Sequence, residues 1–331
     1  MTLGIGIVGC GAVGRKRAQA LGVGGRLVAC ADVDEARARR LAAERGARAL
    51  TDWRELVALP EVEAVFVATF HDALAEVTLA SAEAGKHVLV EKPAARSTAE
   101  LAPVVEAAAR TGVRVRVGFN HRYHRALRKA KELFDAGSIG EALYVRARYG
   151  HGGRAGYERE WRARPEVSGG GELIDQGPHL IDLARWFLGD FTEVEGFAHT
   201  YFWPMPVDDN AFLLLRTARQ QAAFLHVSCT EWKNLFSMEV FGRDGKLEVS
   251  GLGGSYGVER LTWYRMLPGM GPPETTAWEY PMEDDSWQAE MADFYEDIRS
   301  GRAPSAGLPD AAETLGVIER IYGMSGRDHR A

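Results

Sequence analysis

The sequence predicts an α/β chain in two parts. Residues 1–122 should form an N-terminal doubly wound parallel sheet, and residues 123–331 an α+β domain with a mainly antiparallel open sheet. Three observations predict this. A short apolar strand runs into a glycine-rich turn and a helix at the start of the chain, and apolar strands then alternate with helical stretches as far as Val117. Beyond that point strands follow one another without helical crossovers, and 331 residues exceed what one core comfortably fills.

The first strand, Leu3–Val8, is apolar and rich in branched residues, as a buried strand requires. It leads into Gly9-Cys10-Gly11-Ala12-Val13-Gly14 and a helix-forming stretch, Arg15–Leu21. This is G-x-G-x-x-G in the setting of strand, tight turn and helix that a dinucleotide-binding Rossmann unit needs. Gly9 permits the turn, Gly11 lets a pyrophosphate approach the backbone, and Gly14 lets the helix pack on the strand. The anionic phosphates would then meet the positive helix end, with Ala12 and Val13 of the loop also at the cofactor.

The second strand, Arg26–Ala31, delivers Asp32 at its end, near the spacing of about 20 residues expected for the acid that accepts from the adenosine ribose. A carboxylate there would repel an added phosphate, so NAD is favoured over NADP. Arg37, Arg39 and Arg40 keep NADP as the alternative. Asp34 is the better N-cap for a helix over Glu35–Arg45, which leaves Asp32 for the ligand.

Strands at Ala64–Thr69, His87–Val90 and Val113–Val117 alternate with helices at Ala73–Ala84 and Thr98–Arg110. In such sheets the ligand crevice lies at the carboxyl ends of the strands. That rule places Thr69-Phe70-His71, Glu91-Lys92-Pro93 and the run through Asn120, His121, Arg122 and Tyr123 beside the cofactor, with Arg122 also a candidate contact to substrate. Lys92, stiffened by the proline after it, is a cation at the mouth of this cleft. A surface lysine pairing with Glu91 is the competing reading.

From Ser168 to Gly189 the chain carries Gly169-Gly170-Gly171 and then an amphipathic pattern. Wound as one helix at about 100° per residue, Asp175, His179, Asp182 and Trp186 fall within a roughly 60° arc, with Leu173, Leu180, Ala184 and Phe187 opposite. Pro178 would either bend that helix or start it near Gly177, leaving Asp175 in the turn before. An imidazole flanked by carboxylates is an acid/base site in outline; a solvated polar face is the ordinary alternative.

The rest of the second part reads as a helix at Ala126–Ala136, a strand at Ala142–Tyr149, and strands at Val194–Phe202, Ala211–Arg216, Ala222–Ser228 and Phe236–Phe241. Arg243-Asp244-Gly245-Lys246 marks a hairpin. With one face of this sheet under the Gly-rich helix, the other, carrying residues such as Phe224, Leu225, Val240 and Leu247, calls for a second subunit, as in a homodimer or homotetramer. The polar, glycine-rich loop from His151 to Pro165 is a candidate substrate lip. His151, Arg154, Tyr157, Trp161 and Arg162 could grip hydroxyls or stack on a sugar ring, or simply be solvated. Closing helices are expected at Trp287–Arg299 and Ala311–Tyr322.

A net charge of −6 without a basic block argues against nucleic acid, and no apolar run approaches a membrane span. Cys10, Cys30 and Cys229 form no metal or redox pairing pattern, so no metal is expected. With no cationic leader before the first strand, a cytoplasmic location is the expectation.

Taken together, Gly9 to Gly14 with Asp32, the run Ala84-Gly85-Lys86-His87-Val88-Leu89-Val90-Glu91-Lys92-Pro93, and the glycine triplet leading into Asp175, His179 and Asp182 resemble the Gfo/Idh/MocA oxidoreductases. That family includes glucose-fructose oxidoreductase, inositol 2-dehydrogenase and the rhizopine-catabolism dehydrogenases. The resemblance covers nearly the whole chain. It implies a Rossmann domain followed by a mainly antiparallel sheet, with Lys92, Asp175 and His179 at the catalytic positions. The chain departs from the family where members often carry Thr-Pro and, a few residues on, a histidine; here Thr69-Phe70 and Leu74 stand. Asn120-His121-Arg122 fits the family's Asn-x-Arg pattern, without the proline that usually follows.

The expected reaction is hydride transfer between NAD and a ring hydroxyl or ketone of a sugar, cyclitol or sugar derivative. His179 would exchange the hydroxyl proton, Lys92 would stabilise the alkoxide, and Asp175 would orient His179 or hold substrate hydroxyls. A biosynthetic ketoreductase using NADPH, a glycosidase using bound NAD, and a non-catalytic dinucleotide sensor stand as alternatives, the sensor being the least favoured.

Overall fold

The computed structural model describes residues 2–327. The chain up to Phe119, together with Trp287–Ala312, forms one compact unit; Asn120–Ser286 and the chain from Glu313 onward form a second.

In the first unit β1 (Leu3–Val8), α1 (Ala12–Gln19), β2 (Gly25–Ala31), α2 (Glu35–Arg45), β3 (Arg48–Leu50), α3 (Trp53–Val57), β4 (Ala64–Val67), α4 (His71–Glu83), β5 (His87–Val90), α5 (Thr98–Thr111) and β6 (Val115–Val117) alternate, and all but β3 and α3 are elements that the sequence predicts. All six strands are parallel, in the order β3-β2-β1-β4-β5-β6. Every residue of β1 and β4 is buried, because helices cover both faces of the sheet. The Asp34 carboxylate caps α2 by accepting from the backbone N–H groups of Ala36 and Arg37. β3 and α3 escape sequence reading. They are short, and β3 is largely exposed, so neither shows a period long enough to recognise.

Two buried arginines bind this unit to its late-arriving helix. Arg17 donates from Nε to Glu91 Oε1 at 2.7 Å and pairs with Glu290, while its guanidinium lies 4.4 Å from the Trp287 ring centroid. Arg116, fully buried in β6, pairs with Asp297 and Asp293. Buried charges of this kind persist only when paired, and here Glu290, Asp293 and Asp297 arrive from the helix that closes the unit, while Glu91 follows β5.

In the second unit α6 (Arg125–Asp135) precedes β7 (Ala142–Gly150). Short helices α7 (Pro165–Ser168) and α8 (Glu172–Asp175) then lead to α9 (Gly177–Leu188). Strands β8 (Phe191–His199), β9 (Asn210–Thr217), β10 (Ala222–Ser228), β11 (Leu235–Gly242), β12 (Gly245–Ser250), β13 (Glu259–Arg265) and β14 (Glu274–Tyr280) follow. With β7 they make an eight-stranded sheet in the order β14-β13-β12-β11-β7-β10-β9-β8. Neighbours are antiparallel except β7 and β10. The chain closes with α10 (Ser286–Ser300) and α11 (Leu308–Met324).

The sequence places Phe224, Leu225, Val240 and Leu247 together on an open face, and the register corrects this. Leu225, Val240 and Leu247 are buried on the face covered by helices, whereas Phe224 is on the other, 46% exposed beside Leu214 and Arg146. Side chains alternate between faces along a strand, so neighbours such as Phe224 and Leu225 cannot share one. β8 also ends earlier than expected. The N–H groups of Tyr201, Phe202 and Trp203 all turn to the Asp209 carboxylate, at 2.7–2.9 Å, instead of continuing the ladder. β13 and β14 lie beyond the strands predicted; β14 is an edge strand rich in Thr and Glu, with no apolar alternation to betray it. Among the described residues no helix is long and apolar enough to cross a membrane.

Candidate functional site

In the first unit β1, β2 and β4 end at a cleft of about 310 Å³ whose lining includes Gly9, Gly11, Asp32, Arg37, Thr69 and Phe70. Gly9 has φ +93°, and a Cβ there would fall 2.3 Å from the Ala68 carbonyl oxygen. A Cβ on Gly14 would fall 1.8 Å from the Gly9 carbonyl oxygen, so α1 can sit this close to the turn only with glycine there. Gly11 differs, since a Cβ would meet nothing within 4 Å. Packing inside the protein therefore does not demand glycine at position 11; a ligand approaching the backbone would. Gly11 is also the N-cap of α1 and supplies no side-chain cap, leaving the first N–H groups of that helix, from Ala12 and Val13, for an anion.

Asp32 stands at the end of β2 as expected but also holds the loop. Its Oδ2 accepts the Cys10 N–H at 2.7 Å and its Oδ1 the Asp34 N–H at 2.9 Å. A carboxylate has about four acceptor sites, so a ribose diol can still be met on the remaining lone pairs. The residues present thus fit a dinucleotide. Lys92 stands two residues beyond β5, half-buried, and joins Pro93 through a cis peptide bond.

Three further residues expected beside the cofactor make contacts within the protein. His71 is buried in the first turn of α4 and is absent from the residues lining the cleft. The Glu91 carboxylate is turned to Arg17. Asn120 belongs to the second unit, where its Nδ2 donates to Ser286 Oγ at 3.0 Å.

In the second unit the candidate acid/base residues lie at the break between α8 and α9. α9 begins at Gly177 with Pro178 in its first turn, and Asp175 ends the short helix before it. No solvated face exists here: Asp175, His179 and Asp182 are all buried, at 4%, 5% and 1% exposure. Each meets a partner that the sequence spacing did not reveal. Asp175 Oδ2 accepts from Arg162 Nε at 2.7 Å, joining the loop to the helix. Asp182 takes both its oxygens to Arg122, with Nε at 2.8 Å, so the arginine expected at the substrate is locked into a bidentate pair instead.

The His179 ring stacks on His121, with centroids 3.7 Å apart and planes 30° from parallel. His121 in turn presents an edge to His124 at 5.4 Å, and His124 Nδ1 lies 2.7 Å from Glu259 Oε1. Tyr149 closes the other side, its centroid 5.9 Å from His179. Burial holds the Tyr149 phenol well above the usual tyrosine range, helped by Tyr256, to which it is hydrogen-bonded. The Tyr149 hydroxyl therefore stays protonated at any working pH.

The 151–165 loop divides. Arg162 joins Asp175, whose charge raises the guanidinium pKa further, and it lies 4.6 Å from the Trp161 ring. Arg154 reaches out to Glu160. Tyr157 is not at a surface. It is buried between His151 and Trp203, with ring centroids at 5.5 and 5.6 Å. Burial lowers the His151 pKa, opposed by the charge of Asp175.

Sequence reasoning missed what holds the glycine triplet. Asp208 accepts from the N–H groups of Gly171 at 3.0 Å and Leu173 at 2.8 Å, and from the Tyr322 hydroxyl at 2.6 Å. Burial raises the Asp208 pKa against these bonds. A Cβ on Gly171 would fall 1.9 Å from the Asp208 carbonyl oxygen. The run Val207-Asp208-Asp209-Asn210, acidic and immediately before a strand, was the one signal in the sequence.

Residues 3–119 match the model of the oxidoreductase family with NAD-binding Rossmann fold, and residues 127–248 that of the GFO/IDH/MocA C-terminal domain. The inositol 2-dehydrogenase of Gluconacetobacter diazotrophicus is 37% identical over 203 residues, covering 59% of this chain and 57% of that protein. The chain spans about half the length of the first curated relatives it matches, 44–58%. The inositol 2-dehydrogenase of Pseudomonas fluorescens is matched along its length: 31% identity over 345 residues, 96% of this chain and 94% of that protein. The solved structure of a levoglucosan dehydrogenase in complex with NADH shares the fold at a TM-score of 0.89. Its identity is 22%, with 98% of this chain and 97% of that one covered.

Proposed function

The chain belongs to the Gfo/Idh/MocA oxidoreductase family, and from that premise we propose that it is an NAD-dependent dehydrogenase acting on a ring hydroxyl of a cyclitol, sugar or sugar derivative. The observation that carries this reading is the burial of Asp175 and His179 behind a break between two helices. Burying titratable groups costs stability unless they are paired, and such groups cluster at functional sites. Relatives bearing the names inositol 2-dehydrogenase and levoglucosan dehydrogenase support the substrate class.

NAD, when bound, supplies the hydride acceptor. Gly11 and the start of α1 hold its pyrophosphate, and Asp32 its adenosine ribose, with Thr69 and Phe70 along the cleft wall. His179 takes the proton that leaves the substrate hydroxyl. Lys92 donates to that oxygen as negative charge builds on it. Asp175, held by Arg162, accepts from a neighbouring substrate hydroxyl, so that a polyol with adjacent hydroxyls is gripped at two points. A second copy of the chain packs on the open face of the eight-stranded sheet, where Phe197, Leu214 and Phe224 are each 46–47% exposed. The protein works in the cytoplasm.

The test is a screen of inositols, sugars, anhydrosugars, sugar acids and nucleotide sugars with NAD and with NADP, followed at the nicotinamide absorbance band. Turnover of a cyclitol or sugar with NAD is the expected result. Tight dinucleotide binding with no change in absorbance for any of them would overturn it.

A further inference from the structure

We propose that His121 and His179 form a single proton-accepting unit, a stacked imidazole pair that holds one proton and resists a second. This rests on the reading of His179 as the base and adds His121 as its positioning partner. The carrying observation is geometric: the two rings lie 3.7 Å apart and 30° from parallel, and both are buried, at 5% exposure each. When His179 takes a proton, the neutral His121 face stabilises the imidazolium, as an aromatic face does for any cation laid over it. A second proton on the pair would put two like charges in contact at low local dielectric, so the two titrations are coupled.

The surroundings do not undo this. Arg122 with Asp182 and Arg162 with Asp175 are ion pairs of zero net charge. Tyr149, on β7, presents a phenol that burial keeps protonated, hydrogen-bonded to Tyr256. Glu172, on α8, is buried 3.6 Å from His151. His124 sits edge-on to His121 and engages the Glu259 carboxylate at 2.7 Å, with Asp284 at 3.8 Å. Glu259 Oε2 is in turn held by the Ala126 N–H at 3.1 Å. Both carboxylates engage His124 Nδ1. The negative charge that would otherwise reward a second proton on the pair is therefore met by His124 first.

The test is a proton titration of the histidine rings by nuclear magnetic resonance, on selectively labelled, substrate-free protein, wild type and His121→Phe. The expected result is two steps for the wild-type pair, at least about one pH unit apart, the lower one below the ordinary histidine value of about 6.5. His121→Phe keeps a ring against His179 and removes the competitor, so His179 should titrate in one step above the lower wild-type step. Independent, overlapping titrations of the two rings in the wild type would overturn the proposal, and that measurement needs no variant to fold. An unchanged His179 titration in His121→Phe would do the same. Because no substrate enters the experiment, the pair is tested even if the dehydrogenase reading fails. Conversely, loss of that reading would show in the substrate screen alone.

Discussion

Replacing Arg122 with Met separates the two roles available to this arginine. The side chain is 7% exposed and gives both ends of its fork to Asp182, itself 1% exposed and on α9 one turn beyond His179. Arg122→Met keeps the length of the stem and removes the charge. Asp182 then remains as a buried carboxylate without its counter-charge, which typically costs about 3–5 kcal/mol. For a unit of this size each kcal/mol moves the melting temperature by roughly 2–4 °C, so a fall of roughly 6–20 °C is expected in the transition of the second unit. The decisive variant is Arg122→Met with Asp182→Leu, which replaces the pair by apolar groups and should restore most of the loss. Thermal unfolding followed by circular dichroism on the wild type, both single variants and the double gives the coupling, expected at roughly 1–3 kcal/mol. A single variant as stable as the wild type, or a double variant with no recovery, would refute the ion-pair reasoning and return Arg122 to the substrate.

Lys92→Met should abolish turnover while leaving NAD affinity nearly intact, read by steady-state kinetics beside equilibrium dinucleotide binding; normal turnover would end its assigned role. Asp32→Asn should raise the NAD dissociation constant by roughly 10- to 100-fold, about 1.4–2.8 kcal/mol, and improve NADP relative to NAD. Titrating both dinucleotides checks this, and an unchanged preference would mean that Asp32 only braces the Cys10 and Asp34 N–H groups. Asp209 gives a pH prediction. Burial alone would raise its pKa, but the Asn210 side chain and the N–H groups of Tyr201, Phe202 and Trp203 lower it below 3.8. Its stabilisation is therefore present above the unfolded value and lost as pH falls through the folded one. Asp209→Asn should cost about 2–3 kcal/mol at neutral pH and progressively less in acid, and denaturant unfolding at several pH values would show whether the difference shrinks that way.

By itself the sequence determined the parallel α/β plan of the first unit and, to the residue, β1, α2 and β5, but not β3 or α3. Strands buried on both faces and helices with caps declare themselves locally, and the glycine loop states its geometry in its spacing. It also singled out Asp32, Lys92, Asp175 and His179, and gave a start near Gly177 as one of two readings of the helix that is α9. What it could not determine is which polar groups those residues meet. Arg122 and Asp182 are 60 residues apart, His124 and Glu259 135, and Asp208 and Tyr322 114. No periodicity reports a contact across such a separation. Only the tertiary structure decides that Arg162 reaches Asp175, that Tyr157 is buried, that Phe224 and Leu225 part to opposite faces, and that two imidazoles stack. The physical reason is the same in each case. Local pattern fixes which face a side chain takes within its own element, whereas burial and charge pairing are settled when elements distant in the chain are packed together.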